Sequence, residues 1–281
     1  MAQLTLIDLP AELQKAIIAH TPRPTDLKNF CLACKQLQSI AIPALYHTVS
    51  LDPREIGSGF LLPNNSGLQH VRKLSFTQVY PYEQSLALPK ILSVLEKLPR
   101  NYLMSLETPY CMRLDANIIK LLCRSQRNIH VLSIGPSREA WFSVPEDDKD
   151  WLSHINIIDI HATVRDEEDL DFYGDLVRRS KNLQCLAIRA YGIFNLSHGF
   201  YGTLPLQEDT NEMDGAVSAT VFGHLRPWQS HSTSPLVLDR LYLENQMLMY
   251  TPRNILQVIR LEVLRDLHLY SCSNPAPSCA F

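Results

Sequence analysis

The chain has 281 residues, 46% of them hydrophobic and 20% charged, and a formal net charge of −3. That is enough apolar material for one large domain, or a small one and a large one. The balance lacks the basic surplus or clustered Lys/Arg face of a nucleic-acid binder, and no apolar stretch approaches the ~18 residues of a bilayer span.

Asp8, Pro10, Glu12 and Lys15 interrupt the first helix candidate where a secretory leader would be apolar. Seven cysteines, an odd number scattered through apolar stretches, suit a reducing compartment, cytoplasmic or nuclear.

Three short helices are predicted in the first fifty residues. The first opens near Pro10, whose missing N–H costs nothing in an opening turn. Leu9, Leu13 and Ile17 then recur at four-residue spacing as an apolar stripe. Pro22 and Pro24 break the chain, and a second helix begins around Thr25 and Asp26 with Leu27, Phe30, Cys31 and Cys34 on its apolar face. A third carries Leu37, Ile40 and Ala41, with a kink or restart expected at Pro43 before Leu45 and Tyr46. So small a core needs a second surface, from the rest of the chain or from a partner. Cys31-x-x-Cys34 lacks the second ligand pair that a zinc site requires, so both thiols are read as packing groups and no metal is expected.

The run Leu9-Pro10-x-Glu12-Leu13, Ile17-Ile18, Asp26-Leu27, Cys31-x-x-Cys34 and Ala44-Leu45-Tyr46, with its exit into Val49-Ser50-Leu51, resembles the F-box over residues 5 to 51. Thr21 departs from that pattern, where the family more often has an apolar residue. The resemblance implies docking on the Skp-family adaptor of a cullin–RING ubiquitin ligase through Leu9, Pro10, Leu13, Ile17, Cys34 and Leu37. A generic three-helix subdomain packing only on its own chain is the alternative.

Beyond residue 50 a triplet of apolar residues at relative positions 1, 4 and 6 repeats: Tyr46-Val49-Leu51, Val71-Leu74-Phe76, Ile129-Leu132-Ile134, Ile155-Ile158-Ile160, Leu183-Leu186-Ile188, Leu238-Leu241-Leu243 and Leu264-Leu267-Leu269. A weaker copy ends at Met104-Ser105-Leu106. Chance alone makes such triplets, so their spacing carries the argument. Taking Met104 as the weaker copy's centre, the central positions are separated by 25, 30, 28, 26, 28, 55 and 26 residues. The 55 reads as two periods with one divergent or displaced copy. Helix-like stretches fall between copies, at 86–98, 115–124, 168–180 and 253–262.

Strand and helix alternating at 26 to 30 residues resembles a leucine-rich repeat, although the Asn or Cys usual after the strand is mostly missing. The expected fold is α/β: an F-box over 1–50, then a curved solenoid over 51–281 with a parallel sheet and flanking helices. A doubly wound α/β fold is the rival. Residues 196–235 are polar and irregular and read as an insertion. The acidic runs 146–150 and 166–171 read as solvated loops or a helix start. No capping helix is legible after Leu269.

Residues between the inward-facing apolar positions line the other face of the sheet. On the later strands these are Asp159, His161, Arg189, Arg240, Tyr242, Glu244, His268 and Tyr270, a set rich in the aromatic and Arg anchors of protein interfaces. A polar, solvent-facing sheet is the plain alternative. No phosphate-binding loop, dinucleotide fingerprint, HExxH or GxSxG motif is present. The sequence therefore leads to the expectation of a non-catalytic adaptor without cofactor, which binds the Skp-family adaptor and cullin scaffold at one end and a protein target at the other. A repeat protein acting outside a ligase, or a truncated non-productive member, is the second reading.

Overall fold

The structure is a computed structural model; it describes residues 5–57, 60–62, 64–77, 79–109, 112–162, 173, 175–190, 236–244 and 259–270. It begins with a 3₁₀ turn, Leu6–Asp8, followed by helices α1 (Ala11–Ala19), α2 (Pro24–Ala33) and α3 (Lys35–His47). Pro24 occupies the first helical position of α2, where its fixed φ is already helical. Ile18, Leu27, Leu37 and Ala41 form a small core, edged by Phe30, Cys31, Cys34, Ile40 and Leu45. Of the kink or restart expected at Pro43, a restart does not occur, since α3 is one helix from Lys35 to His47 with Pro43 inside it. An interior proline costs about 3 kcal/mol. Packing on both sides of it, by Leu37 and Ala41 before and by Ala44, Leu45 and Tyr46 after, offsets that cost.

Gln14 joins the parts of this head. Fully buried, it donates from Nε2 to the carbonyls of Ile7 (3.1 Å) and Leu9 (2.8 Å), and its Oε1 accepts from Gln36 Nε2 (3.0 Å). The amide has both donor hydrogens and its acceptor occupied, so it ties the Leu9-Pro10 turn to α1 and α3 at little desolvation cost.

From α3 the chain enters β1 (Thr48–Leu51) without a linker, and the sheet therefore starts inside the first fifty residues. The Tyr46 ring packs against the larger core. A Cβ on Gly67 would meet that ring at 2.3 Å, so glycine permits the approach. The further elements are β2 (Lys73–Phe76), α4 (Gln84–Lys97), β3 (Ser105–Glu107), β4 (Arg113–Leu114), α5 (Ala116–Ser125), β5 (Val131–Pro136), α6 (Arg138–Phe142), a 3₁₀ helix Glu146–His154, β6 (Ile157–Ala162), β7 (Cys185–Ala190), β8 (Arg240–Glu244) and β9 (Asp266–Tyr270).

These strands make a nine-stranded parallel sheet in the order β1-β2-β3-β5-β6-β7-β8-β9, with the short β4 alongside β5. Leaving β4 aside, each strand pairs with the strand before it in the chain. A doubly wound sheet would reverse its order at a switch point, and this one does not.

Across the sheet Val49, Leu74, Leu106, Leu132, Ile158, Leu186, Leu241 and Leu267 stand in one row. From Leu74 to Leu241 every member is at most 1% exposed. The helical side supplies Ile91, Val94 and Leu95 from α4, Ile118, Ile119 and Leu122 from α5, and Trp141 from α6. A strand–helix unit cannot bury its own apolar face, so neighbours bury one another's.

The strand ladder continues one residue ahead of the strands. The carbonyls of His47, Arg72, Met104, His130, Asn156, Gln184 and Asp239 each accept the N–H of the equivalent residue in the next strand, at 2.7–3.1 Å. Asparagine side chains tie the turns as well. Asn128 Nδ2 donates to the Asn101 carbonyl (2.8 Å) and Asn182 Nδ2 to that of Ser153 (2.7 Å). Each stands just before the first apolar position of its strand, Ile129 and Leu183.

Two expectations are corrected, the centre of the third strand and the helix at 253–262. The third strand is centred on Leu106, with Leu103 as its first apolar position, because Leu74 pairs with Leu106. The weaker triplet had been placed two residues early, on Met104, which is 43% exposed. β7 and β8 are direct hydrogen-bonded neighbours, so no strand stands between them in the sheet, and the divergent or displaced copy expected at 191–235 lies outside the described residues. The acidic run 146–150 opens the 3₁₀ helix Glu146–His154, in line with the helix-start reading, and within it Lys149 is 1% exposed. At 253–262, Ile259 makes a parallel bridge to Leu236 and Leu261–Val263 is a 3₁₀ turn. The remainder of that stretch, the insertion at 196–235, the run 166–171 and the segment after Tyr270 lie outside the described residues.

Candidate functional site

The first candidate surface is on α1. Gln14 and Ile18 point into the head, which turns Leu13 and Ile17 outward at 51% and 43% exposure. Residues four apart share a helix face, so these two form a small apolar stripe. Pro10 is exposed and Leu9 half-buried at the preceding turn. Cys34 is also half-buried; its Sγ caps α3 by accepting the Leu37 N–H at 3.5 Å. Leu37 is a correction: at 3% exposure it belongs to the core of the head and has no surface to give a partner. Ile7 and Leu32, exposed at 47% and 75%, were overlooked. Leu32 lies in the apolar run Phe30-Cys31-Leu32, whose helical phase relative to buried Leu27 places it outside.

The second surface is the half-exposed face of the sheet. Register places Ser75, Glu107, Ser133, Asp159, Ala187, Tyr242 and His268 in one row, and His161, Arg189, Glu244 and Tyr270 in the next. Arg240 and Asp266 are partners in a third. All eight sequence-chosen residues therefore share one face of β6 to β9, and Glu107 joins them once β3 is correctly registered.

Arg189 links three strands. Its Nε donates to both Asp159 carboxylate oxygens (3.0 and 3.1 Å) and its Nη1 to Glu244 Oε2 (3.3 Å). Ser133 Oγ donates to Asp159 Oδ2 (3.4 Å) and lies 3.1 Å from His161 Nε2. Burial pushes the Asp159 carboxyl up. The hydrogen bond and charge of His161 and the Arg189 guanidinium outweigh that, and the group rests below the usual carboxylate range. Tyr242 and His268 stack with centroids 4.5 Å apart and rings 9° from parallel. Beside them is an open hollow of about 370 Å³ lined by Arg189, Tyr242, Leu243, Glu244, His268 and Tyr270.

Ser133, His161 and Asp159 invite comparison with a nucleophile–base–carboxylate relay. Such a relay needs the hydroxyl on one imidazole nitrogen and the carboxylate on the other. Here Asp159 Oδ2 lies 3.5 Å from the same Nε2 that faces Ser133. Hydroxyl and carboxylate compete for one nitrogen, so the group is a cross-strand polar cluster.

Three thiols are held in their protonated form. Burial pushes Cys123 up to about 12 and raises Cys31 and Cys185 as well. Among the described residues no group of His, Cys, Asp and Glu is placed to hold a metal ion, and no helix is long and apolar enough to cross a membrane. A smaller hollow, about 240 Å³, lies at the edge where the strands begin, with the Arg72 guanidinium 4.1 Å over the Tyr102 ring. Sequence periodicity gave no sign of it, because both residues stand ahead of their strands.

No protein-family model matches the chain, and no curated protein compared with it is similar enough to count as a match.

Proposed function

We propose that the chain is the substrate-recognition adaptor of an SCF-type cullin–RING ubiquitin ligase, working in the cytoplasm or nucleus. Its first fifty residues act as an F-box on the Skp-family adaptor, and residues 51–281 act as a leucine-rich-repeat-like solenoid whose open face holds a protein target. Its contribution is proximity: holding a target close to a conjugating enzyme carried by the scaffold raises the effective concentration of the two. No residue of this chain acts on the bond being made.

One observation carries the reading. A head with only four buried apolar core residues nonetheless turns Leu13 and Ile17 of α1 to solvent beside the exposed Pro10. An apolar stripe on so small a core is a docking surface that a partner's groove would cover. The sequential parallel sheet supports the second half, since stacked units present one continuous face.

The test is co-purification of the full chain with the Skp-family adaptor and a cullin, for the parent and for Leu13→Asp with Ile17→Asp. The expected result is capture of both by the parent and a loss of at least tenfold in the double variant, with the sheet's thermal transition unmoved. Capture of the adaptor without the cullin would favour a module working outside a ligase. Capture of neither would end the proposal.

A further inference from the structure

The segments leading into β2, β3 and β5, up to their paired leucines, are residues 67–74, 99–106 and 126–132. They contain no Asp or Glu and carry Arg72, Lys73, Arg100 and Arg127, so this edge is locally basic in a chain of net charge −3. Among them lies the hollow of about 240 Å³ lined by Arg72, Asn101, Tyr102, Met104, Asn128 and His130. We infer that this hollow is a subsite for one carboxylate, the Asp or Glu side chain of a partner protein. The inference goes beyond the ligase reading and does not depend on it.

Arg72 supplies the charge. Its Nη1 donates to the Gln69 and Val71 carbonyls, both at 3.2 Å, and its guanidinium lies over the Tyr102 ring. The side chain is thereby fixed, and Nε and Nη2 have no partner among the described residues. Those two groups form the side of the guanidinium that pairs with a planar carboxylate through two parallel bonds.

The neighbouring wall adds donors. Asn101 is held at φ 60°, with its N–H on the Ser125 carbonyl (2.7 Å) and its Oδ1 taken by the Arg127 N–H (2.9 Å). Its Nδ2 remains to donate. Asn128 gives one Nδ2 hydrogen to the Asn101 carbonyl (2.8 Å) and keeps the second. Tyr102 and Met104 are 44% and 43% exposed, so a side chain from outside reaches the hollow without rearrangement. One guanidinium in the lining matches a monoanion. A phosphate, with about −1.5 to −2 charges, would be only partly answered by it. An approaching cation is repelled by Arg72 and the basic edge around it.

The test uses the full chain and the peptides Gly-Ser-X-Ser-Gly, acetylated and amidated so that X carries the only charge, with X as Glu, Gln, Lys or phosphoserine. Binding is read by NMR shifts of the Arg72 Nε–H and the Tyr102 ring. The Glu peptide is expected to shift both signals, less at high salt, and the Gln and Lys peptides neither. Arg72→Lys keeps the charge but loses the paired donors, and should weaken the Glu peptide by roughly fivefold or more. Met104→Glu sets a carboxylate in the lining at an exposed position and should abolish the response, whereas Met104→Gln retains it. The urea midpoint is expected to stay put in both Met104 variants, so that pair decides the matter if Arg72→Lys disturbs the fold. Equal response to Gln, preference for Lys, or no shift with any peptide overturns the inference. So does a phosphoserine peptide held more than roughly tenfold tighter than Glu, or a full Glu response in Met104→Glu. Adaptor capture is measured separately. Failure here with capture intact removes only the subsite, and failure of capture with the Glu response intact removes only the ligase reading.

Discussion

Gln14 provides the sharpest test of how the head is held together. Replacing it with Ala removes three hydrogen bonds, to the Ile7 and Leu9 carbonyls and from Gln36, at a fully buried position. At about 1 kcal/mol net for each bond, the loss is about 3 kcal/mol before any cavity term. A core of four buried apolar residues has little more than that to lose. Amide hydrogen exchange of the full chain is expected to show residues 11–47 losing protection by a factor of about 100 or more, with β5 to β7 unchanged. Adaptor capture should fall as well, because Gln14 is what positions the Leu9-Pro10 turn. Gln14→Glu keeps the shape but faces two carbonyls with a carboxylate. Burial and those carbonyls raise its folded-state pKa above the unfolded value. The variant should therefore come nearest the parent in acid, below the unfolded carboxylate range, where its single O–H still serves one of the two carbonyls, and lose further stability as pH rises through and above it. Unchanged protection of α1 and α3 in Gln14→Ala would refute the reasoning.

Three further outcomes are expected. Gly135→Ala places a Cβ 2.9 Å from the Met112 carbonyl oxygen and 3.1 Å from that of His161. Backbone on both sides cannot yield, and a cost of about 1–3 kcal/mol should appear as a lowered urea midpoint. Lys149, with Nζ 2.7 Å from Glu146 Oε1 and 5.1 Å from the Trp141 ring centroid, is almost wholly covered. Lys149→Ala should cost about 2–4 kcal/mol through lost packing, whereas Lys149→Met, which refills the space, should stay within about 1 kcal/mol of the parent in the same measurement. Asp159 has a folded pKa below its ordinary value of 3.8. It therefore contributes stability that is present above that value and disappears as pH falls through the lowered folded pKa. Asp159→Asn should flatten the acid limb of the stability–pH curve, and an unchanged limb would show that its partners do not favour the charged form.

Much of the fold was legible because a parallel strand buried on one face leaves a local mark. Leu132, Ile158, Leu186 and Leu241 are each followed two residues later by a second buried apolar residue, and the helical stripes between them gave α4 and α5 to within about two residues at either end. The third strand was misplaced because Met104 and Leu106 are both apolar, and only burial separates the exposed one from the inward one. Leu37 was mistaken for a contact residue because helical spacing gives a stripe without saying which side faces the core. Its place among Ile18, Leu27 and Ala41 decides that.

The amino-acid sequence by itself determined the period of the strands, the identity of the side chains that alternate between their faces, and the helical character of the head. These depend on spacing along the chain, which secondary structure turns directly into direction. Tertiary structure alone decided that β7 pairs with β8 across a 55-residue interval, that Arg189 reaches diagonally to Asp159 as well as to its register partner Glu244, and that Gln14 holds the Leu9-Pro10 turn. Those outcomes join residues dozens of positions apart, or choose among equally plausible polar partners. Such choices depend on distance in space and on the burial of each group, and a one-dimensional pattern contains neither.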